Sequence, residues 1–119
     1  MRIAVPTNGT RGKDEAVAEH FGRCRTFTIL DESGEVVEVI ENTSQHMGGT
    51  GLPPELLKKH KVDVLLCPNL GPNAIRMCEQ FGIRVFMACG SKAEDLFKEW
   101  KDKKAKAATL ADGCEDHKH

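Results

Sequence analysis

Residues 62–67 read Val62-Asp63-Val64-Leu65-Leu66-Cys67 and form a nearly continuous apolar run. A run of this kind is typical of a central strand that is covered on both faces, as in a parallel sheet. The next segment carries apolar residues at helical spacing between Pro72 and Gly82, which favour the start and the end of a helix respectively. Residues 83–88 are apolar again except for Arg84. This part of the chain therefore predicts a strand, a crossover helix and a second, parallel strand.

The N-terminal part of the chain predicts three more strands. Residues 2–5, which are apolar after Arg2, predict a short buried strand that Pro6 ends. Residues 25–31 and 36–42 alternate in polarity and are separated by a short turn that contains a glycine, which is the pattern of a β-hairpin. We therefore expect the second and third strands to be antiparallel neighbours.

Two further helices complete the predicted order of elements. Pro53 and Pro54 stand in the first turn of one helix, where proline is well tolerated. Ser91 and Glu94 have the spacing of a capping box at the start of the last helix. The order β-β-β-α-β-α-β-α predicts an α/β fold with a ribonuclease-H-like mixed sheet of five strands. We expect the strand order 3-2-1-4-5, with strand 2 antiparallel and helices flanking the sheet.

The length and charge of the chain limit its class. Its 119 residues suffice for one domain, which we place at residues 1–108, followed by a flexible tail at 109–119 that contains cysteine and histidine. The formal net charge of −1 argues against binding to a nucleic-acid backbone. No apolar run reaches the length of a membrane span, and the N-terminus lacks a signal peptide. We expect a cytoplasmic protein, a monomer or weak homodimer, with neither nucleic acid nor a membrane as partner.

The five cysteines are expected to be thiols rather than disulfides. Their number is odd, no Cys-x-x-Cys motif occurs, and the expected compartment is reducing. Cys78 lies on the apolar side of its predicted helix, which favours a place in the core. Cys67 and Cys89 end strands, and we expect both to be buried.

The stretch best suited to bind a metal is Glu19-His20-Phe21-Gly22-Arg23-Cys24. Imidazole and thiolate both suit soft metals, and the stretch directly precedes a predicted strand. On spacing alone, a histidine with a cysteine four residues later is more often structural than a ligand pair. A second loop, residues 43–51, holds His46 with Gly48 and Gly49, and its glycines let the backbone approach a ligand closely.

The predicted topology gives these loops a place to converge. In open α/β sheets, ligands bind beyond the carboxyl ends of parallel strands where the strand order reverses, here between strands 1 and 4. The helices that begin near Pro72 and after Ser91 direct their N-termini to the same rim, which favours anions. The loops that hold His20, Cys24 and His46 could fold over that rim.

Two enzyme classes lack the residues that they need. A nuclease of the ribonuclease H type requires clustered carboxylates to hold magnesium. Residues 2–5 contain no acid, and residues 62–67 contain only Asp63. The glycine-rich residues 48–51 are not followed by the Gly-Lys-Ser/Thr of a P-loop. We therefore expect no enzymatic activity.

A family resemblance is carried by Glu19-His20-Phe21-Gly22-Arg23-Cys24 leading into Phe27, Gly48-Gly49-Thr50-Gly51 with Leu52-Pro53-Pro54, Val62-Asp63-Val64, Gly71-Pro72-Asn73-Ala74 and Gly82-Ile83-Arg84-Val85. From the first strand to the last helix, the chain resembles a small stand-alone member of the dinitrogenase iron-molybdenum cofactor biosynthesis family (NifX/NafY-type domain). The resemblance implies a ribonuclease-H-like fold without nuclease activity. It also implies binding of an iron-sulfur or molybdenum-iron-sulfur cluster, a role related to nitrogen fixation, with His20 as the cluster-binding histidine.

The main hypothesis is a non-enzymatic protein that carries such a cluster between donor and acceptor proteins. A sulfide-bridged cluster is anionic and soft, so Arg23 or Arg25 would neutralise its charge while imidazole and thiolate ligate it. The proposed cluster-binding residues are His20, Cys24, His46, Gly48, Gly49 and Gly71, of which His20, Cys24 and His46 are the proposed metal ligands.

Two other functions stay open at the level of the sequence. The first is a module that binds a small anion or nucleotide at the crevice between strands 1 and 4. The second is a zinc or nickel buffer in which the tail residues Cys114, His117 and His119 bind the metal, although a polar disordered end has the same composition.

Overall fold

A computed structural model describes residues 1–44 and 52–108 as a six-stranded mixed sheet flanked by helices. Strands β1, β4 and β5 are parallel, whereas β2, β3 and β6 run antiparallel to their neighbours. The order across the sheet is β3-β2-β1-β4-β5-β6. The strands are β1 (Ile3–Thr7), β2 (Thr26–Leu30), β3 (Val36–Glu41), β4 (Val64–Cys67), β5 (Arg84–Met87) and β6 (Lys106–Ala108). The helices are α1 (Pro53–Lys59), α2 (Pro72–Gln80) and α3 (Ala93–Lys101), with short 3-10 turns at Gly12–Asp14 and Phe21–Arg23.

The predicted α/β sheet is confirmed, but the predicted number of five strands is wrong. The first five strands have the expected order, and β2 is antiparallel to β1 as expected. The sixth strand, β6, was missed because three residues are too few to show an alternating pattern. The ribonuclease-H-like assignment stays a prediction. No helix in residues 1–44 or 52–108 is long and apolar enough to cross a membrane.

The sheet has a hydrophobic cluster on each face, and β4 contributes to both. Leu65 belongs to the cluster on the α1 and α2 side, together with Leu57 and Ile75. Leu66 belongs to the cluster on the α3 side, together with Leu96. All five side chains are fully buried. The continuous apolar run at residues 62–67 therefore has the expected cause, which is a central strand covered on both faces.

The second residue after each of these three helices has a left-handed backbone. These residues are Lys61 (φ 60°), Gly82 (φ 76°) and Lys103 (φ 61°). The amide of the following residue then donates back into the last helical turn, as in a Schellman motif. These bonds run from Val62 N to Leu57 O (3.0 Å), from Ile83 N to Cys78 O (2.8 Å) and from Lys104 N to Glu99 O (2.8 Å). The turn at Lys103 directs the chain back along β5, which is why β6 forms.

The cap of α3 differs by one residue from the prediction. Helix α3 begins at Ala93, so its third residue is Asp95 and not Glu94. The Asp95 carboxylate accepts hydrogen bonds from the backbone N–H groups of Ser91 (3.2 Å) and Lys92 (3.0 Å). A carboxylate in this place satisfies free amides at the helix N-terminus. These contacts lower the pKa of Asp95, with the Lys92 amide as the largest cause.

Candidate functional site

An open cleft of about 360 Å³ lies just beyond the carboxyl end of β1. Its volume falls in the lower part of the range of about 300–1,000 Å³ that is usual for small-molecule sites. Every lining residue in the described part of the chain comes from the connection between β1 and β2. They are Asn8, Val17, Ala18, Glu19, His20 and Arg23.

One wall of the cleft is an extended segment, residues 15–18, which we call the strap. The strap is held on one side by the end of β1 and on the other by the start of α3. On the β1 side, Ala18 N donates to Pro6 O (2.9 Å) and Asn8 N donates to Ala16 O (3.1 Å). On the α3 side, Val17 N donates to Ser91 O (3.0 Å) and Ala93 N donates to Glu15 O (3.0 Å).

His20 stands exposed at the rim of this cleft, at the point where the strap passes into the second 3-10 turn. The turn is closed by a hydrogen bond from Arg23 N to His20 O (3.1 Å). Phe21, the next residue, is buried against Phe27 of β2 with ring centroids 5.5 Å apart. The buried ring anchors the turn in the core while the neighbouring imidazole stays accessible. The structure therefore places the chief predicted ligand at a cleft.

Cys24, the predicted partner of His20, is not a lining residue of the cleft. It is fully buried, and the Asn42 side-chain amide donates to its carbonyl (2.9 Å) and to its sulfur (3.6 Å). Burial raises the pKa of the Cys24 thiol to about 12. Because the thiolate is the form that binds metals, a buried and protonated thiol is a poor ligand. Its ligand role stays a prediction, and its position in the core gives that role no support.

The other predicted ligands are not brought to the cleft by the described residues. His46, Gly48 and Gly49 lie outside them, as do the tail residues Cys114, His117 and His119. Gly71 is exposed at the start of α2 but does not line the cleft. Within residues 1–44 and 52–108, no three His, Cys, Asp or Glu side chains are grouped closely enough to hold a metal ion.

The cleft also lies to one side of the predicted crevice. The topology placed that crevice between strands 1 and 4, at the residues just past their carboxyl ends, which are Thr7 and Asn8 on one side and Cys67-Pro68-Asn69 on the other. Of these residues, Asn8 lines the cleft. Among the described residues, β4 and the turn after it contribute nothing to the lining. The connection between β1 and β2 is long enough to form the cleft. The site therefore lies beside β1 and not between β1 and β4.

Three cysteine predictions can be compared with the structure directly. Cys67 and Cys78 are fully buried, as expected, and burial raises the pKa of both thiols, that of Cys78 to about 12. Cys89 is exposed, so its predicted burial is wrong. It lies two residues beyond β5, where its amide donates to Glu99 Oε1 (3.3 Å) and its side chain is outside the sheet.

The strap was hard to predict from the sequence. Ala16-Val17-Ala18 is the only run of apolar residues in an otherwise polar connection, and this run was the available signal that the segment packs. The charges of the cleft are mixed, since Arg23 brings a guanidinium and Glu19 a carboxylate. An anionic ligand would therefore be attracted by one lining residue and repelled by another.

Comparison with known proteins agrees with this fold. A family model described as "Dinitrogenase iron-molybdenum cofactor" matches residues 1–103. The uncharacterized protein MJ0580 of Methanocaldococcus jannaschii is 34% identical over 103 residues, which are 82% of this chain and 83% of that protein. The crystal structure of PH0822 is similar with a TM-score of 0.71 and 31% identity, covering 91% of this chain and 96% of that one.

A second similar structure is the apo form of the orange protein from Desulfovibrio gigas. Its TM-score is 0.75 at 26% identity, and the match covers 90% of this chain and 92% of that one. The family match extends over most of the chain and confirms the resemblance seen in its segments. The chain therefore belongs to the dinitrogenase iron-molybdenum cofactor family and is related to nitrogenase cofactor biosynthesis.

Proposed function

We propose that this protein binds an anionic iron-sulfur or molybdenum-iron-sulfur cluster in the cleft beyond β1 and carries it without catalysing a reaction. The observation that supports this most is the position of His20. Its imidazole is exposed and lines an open cleft, although its neighbour Phe21 is anchored in the core. An imidazole held at a fixed place on a rim is available to an inorganic cargo that approaches from solvent.

The chemistry of the lining suits weak and reversible binding of such a cargo. Imidazole is a suitable ligand for iron, and the Arg23 guanidinium offers hydrogen bonds and positive charge to anionic sulfides. The Glu19 carboxylate opposes a negative charge at the same place. One ligand with one attractive and one repulsive charge would hold a cluster less firmly than a cage of four cysteines. This balance fits a carrier, which has to release what it binds.

Delivery requires other proteins. The proposed partners are a protein that donates the cluster and a protein that accepts it during cofactor biosynthesis or delivery. Because the cleft is open to solvent, an acceptor could supply stronger ligands while the cargo is still bound to His20. His46 remains a predicted additional ligand from outside the described residues.

Metal uptake by three proteins tests the proposal. The wild type, His20→Ala and His60→Ala are each reconstituted without oxygen with ferrous iron and sulfide, with and without molybdate. His60 is a matched control, because it is a partly exposed histidine far from the cleft. It caps the C-terminus of α1, and its carbonyl accepts a hydrogen bond from Arg2 Nε (2.8 Å). Arg2 directly precedes β1, so His60 lies at the end of the sheet opposite to the cleft. We expect His20→Ala to lose most bound iron and sulfide and His60→Ala to keep them. Equal uptake by all three proteins would show that His20 is not a ligand.

A further inference from the structure

We propose that Glu15 is a positioning residue of the cleft, whose carboxylate holds the strap in the conformation that presents His20. This inference rests on the proposed function. Glu15 lies at the first position of the strap and is only 6% exposed, although the connection around it is polar. A buried carboxylate is costly unless it is hydrogen-bonded, so its partners define what it does.

Both oxygens of the Glu15 carboxylate are occupied by donors from its own loop. Oε1 accepts hydrogen bonds from the backbone N–H (3.2 Å) and the Nε (3.3 Å) of Arg11. Oε2 accepts from Ala16 N (2.9 Å) and, more weakly, from Arg11 Nη2 (3.5 Å). The Arg11 side-chain hydrogen bond is the largest cause of a lowered pKa at Glu15, so the group is ionised at neutral pH. The carboxylate therefore ties the segment before the 3-10 turn to the start of the strap.

The same carboxylate packs against the backbone of Gly9, next to the cleft residue Asn8. A Cβ atom on Gly9 would lie only 2.5 Å from Glu15 Oε1, so a larger residue there would displace the carboxylate. The Gly9 carbonyl in turn accepts a hydrogen bond from the Thr26 hydroxyl at the start of β2 (2.5 Å). Glu15 thus joins the two sides of the connection that forms the cleft.

The backbone of Glu15 provides the third tie. Its carbonyl accepts from Ala93 N, the first residue of α3, and Ala16 forms a β-bridge with Lys92. The chain then continues to Ala18, Glu19 and His20, which line the cleft. A loss of order at Glu15 would therefore move His20 relative to Asn8 without removing any lining side chain.

Two variants approach this contact from opposite sides. In Glu15→Gln, one carboxylate oxygen is replaced by an NH₂ group, which cannot accept hydrogen bonds. The N–H groups that donate to this oxygen in the wild type therefore lose their acceptor. In Gly9→Ala, the new methyl group displaces the carboxylate. The matched control is Asp31→Asn in the β2–β3 turn, at the end of the sheet opposite to the cleft. Like Glu15, Asp31 is a carboxylate that accepts several local hydrogen bonds, in its case three, from Ser33 N, Ser33 Oγ and Glu35 N.

The experiment measures two quantities for each protein: the iron concentration that half-saturates anaerobic cluster formation with sulfide, and amide hydrogen exchange at residues 15–18. We expect Glu15→Gln and Gly9→Ala to raise the half-saturating concentration by about tenfold. This is the lower end of the roughly 10–100-fold loss seen when a ligand's own hydrogen-bond partner is removed, because Glu15 acts on His20 only through the strap. Both should speed exchange in the strap. Asp31→Asn should change neither quantity, even if urea unfolding shows an equal loss of stability.

Three results would overturn the inference. In the first, strap exchange is faster but half-saturation is unchanged, so the strap does not position the ligand. In the second, strap exchange is unchanged, so Glu15 does not hold the strap. In the third, the wild type forms no cluster, and the proposed function fails together with the positioning role. Cluster formation by the wild type separates the third case from the other two, and the exchange data separate the first case from the second, because they report on the strap whether or not a cluster binds.

Discussion

The rings of Phe21 and Phe27 are packed with centroids 5.5 Å apart and planes inclined by 58°. This contact joins the turn that follows His20 to Phe27, the second residue of β2. It explains why an aromatic residue lies directly after the exposed histidine, since a buried ring fixes the backbone from which the imidazole projects.

Removal of the Phe21 ring should therefore affect both stability and cluster uptake. We expect Phe21→Ala to lose about 3–5 kcal/mol of unfolding free energy, the usual range for a buried phenylalanine. The control is Ile75→Ala, which removes a fully buried side chain of α2 and should lose about 2–5 kcal/mol. Measured by urea unfolding and by iron uptake at a temperature where both variants are folded, only Phe21→Ala should bind less cluster. Equal uptake by the two variants would mean that the anchor has no role in binding.

The burial of the cysteines predicts their reactivity. In a Cys114→Ser background, one thiol of the folded protein, Cys89, should react rapidly with a water-soluble disulfide reagent. Burial holds the other three described thiols protonated and shielded, and the thiolate is the reacting form. These three should react only after unfolding in urea. Rapid reaction of a second thiol in the folded state would contradict the burial of Cys24, and the reacting residue can be identified by mass spectrometry.

The left-handed lysines predict gains in stability. Lys61→Gly and Lys103→Gly should each raise the free energy of unfolding by about 0.5–1 kcal/mol. The left-handed backbone costs a non-glycine residue about 1–2 kcal/mol, and the greater freedom of glycine in the unfolded chain offsets part of that gain.

Gly82→Ala is the reverse test at the end of α2. Apart from its two chain neighbours, no described residue has an atom within 4 Å of the added Cβ, so the cost should come from the backbone conformation, at φ 76°. We expect a loss of about 1 kcal/mol, measured by the same urea unfolding. If the lysine variants were destabilised and Gly82→Ala unchanged, the left-handed geometry at these ends would be wrong.

Acidic pH should weaken the α3 cap. The pKa of Asp95 is lowered in the folded protein from an ordinary value of 3.8, chiefly by the Lys92 amide. A group with a lowered pKa stabilises the fold above its unfolded pKa, and this contribution disappears as the pH falls through the folded value. The urea midpoint should therefore fall between pH 5 and pH 2, and by less in Asp95→Asn. An equal fall in both proteins would assign the pH dependence to other groups, such as Glu15 and Asp31, whose pKa values are also lowered.

The parts of the fold that follow from periodicity were predictable. The apolar run at residues 62–67 and the alternation around the β2–β3 turn gave the sheet, and Gly82 marked the end of α2. The strand β6 was not predictable, because it depends on a left-handed lysine at position 103, for which no local signal exists. The sequence analysis assigned the capping role to Glu94, whereas Asp95 has it in the structure. Both residues are acids, and only the exact first residue of the helix distinguishes them.

The site was less predictable than the fold. His20 was singled out by its chemistry and its family resemblance, and the structure places it at a cleft. Cys24 was chosen for the same chemistry, but spacing along the chain does not show that one residue of a turn is exposed and another is buried. Glu15 was missed because a buried carboxylate in a polar loop has the same sequence signature as an exposed one.

The most direct test of the account is pulsed electron paramagnetic resonance on a reconstituted paramagnetic cluster, in protein labelled with ¹⁵N at histidine only. If His20 is a ligand, the wild type and His60→Ala show a coupling of the cluster to a labelled imidazole nitrogen, and His20→Ala in a His46→Ala background shows none, whereas His46→Ala alone keeps the coupling of His20. A histidine coupling that persists in the His20→Ala, His46→Ala double variant, or a wild-type cluster without any coupling to histidine, would contradict the central claim.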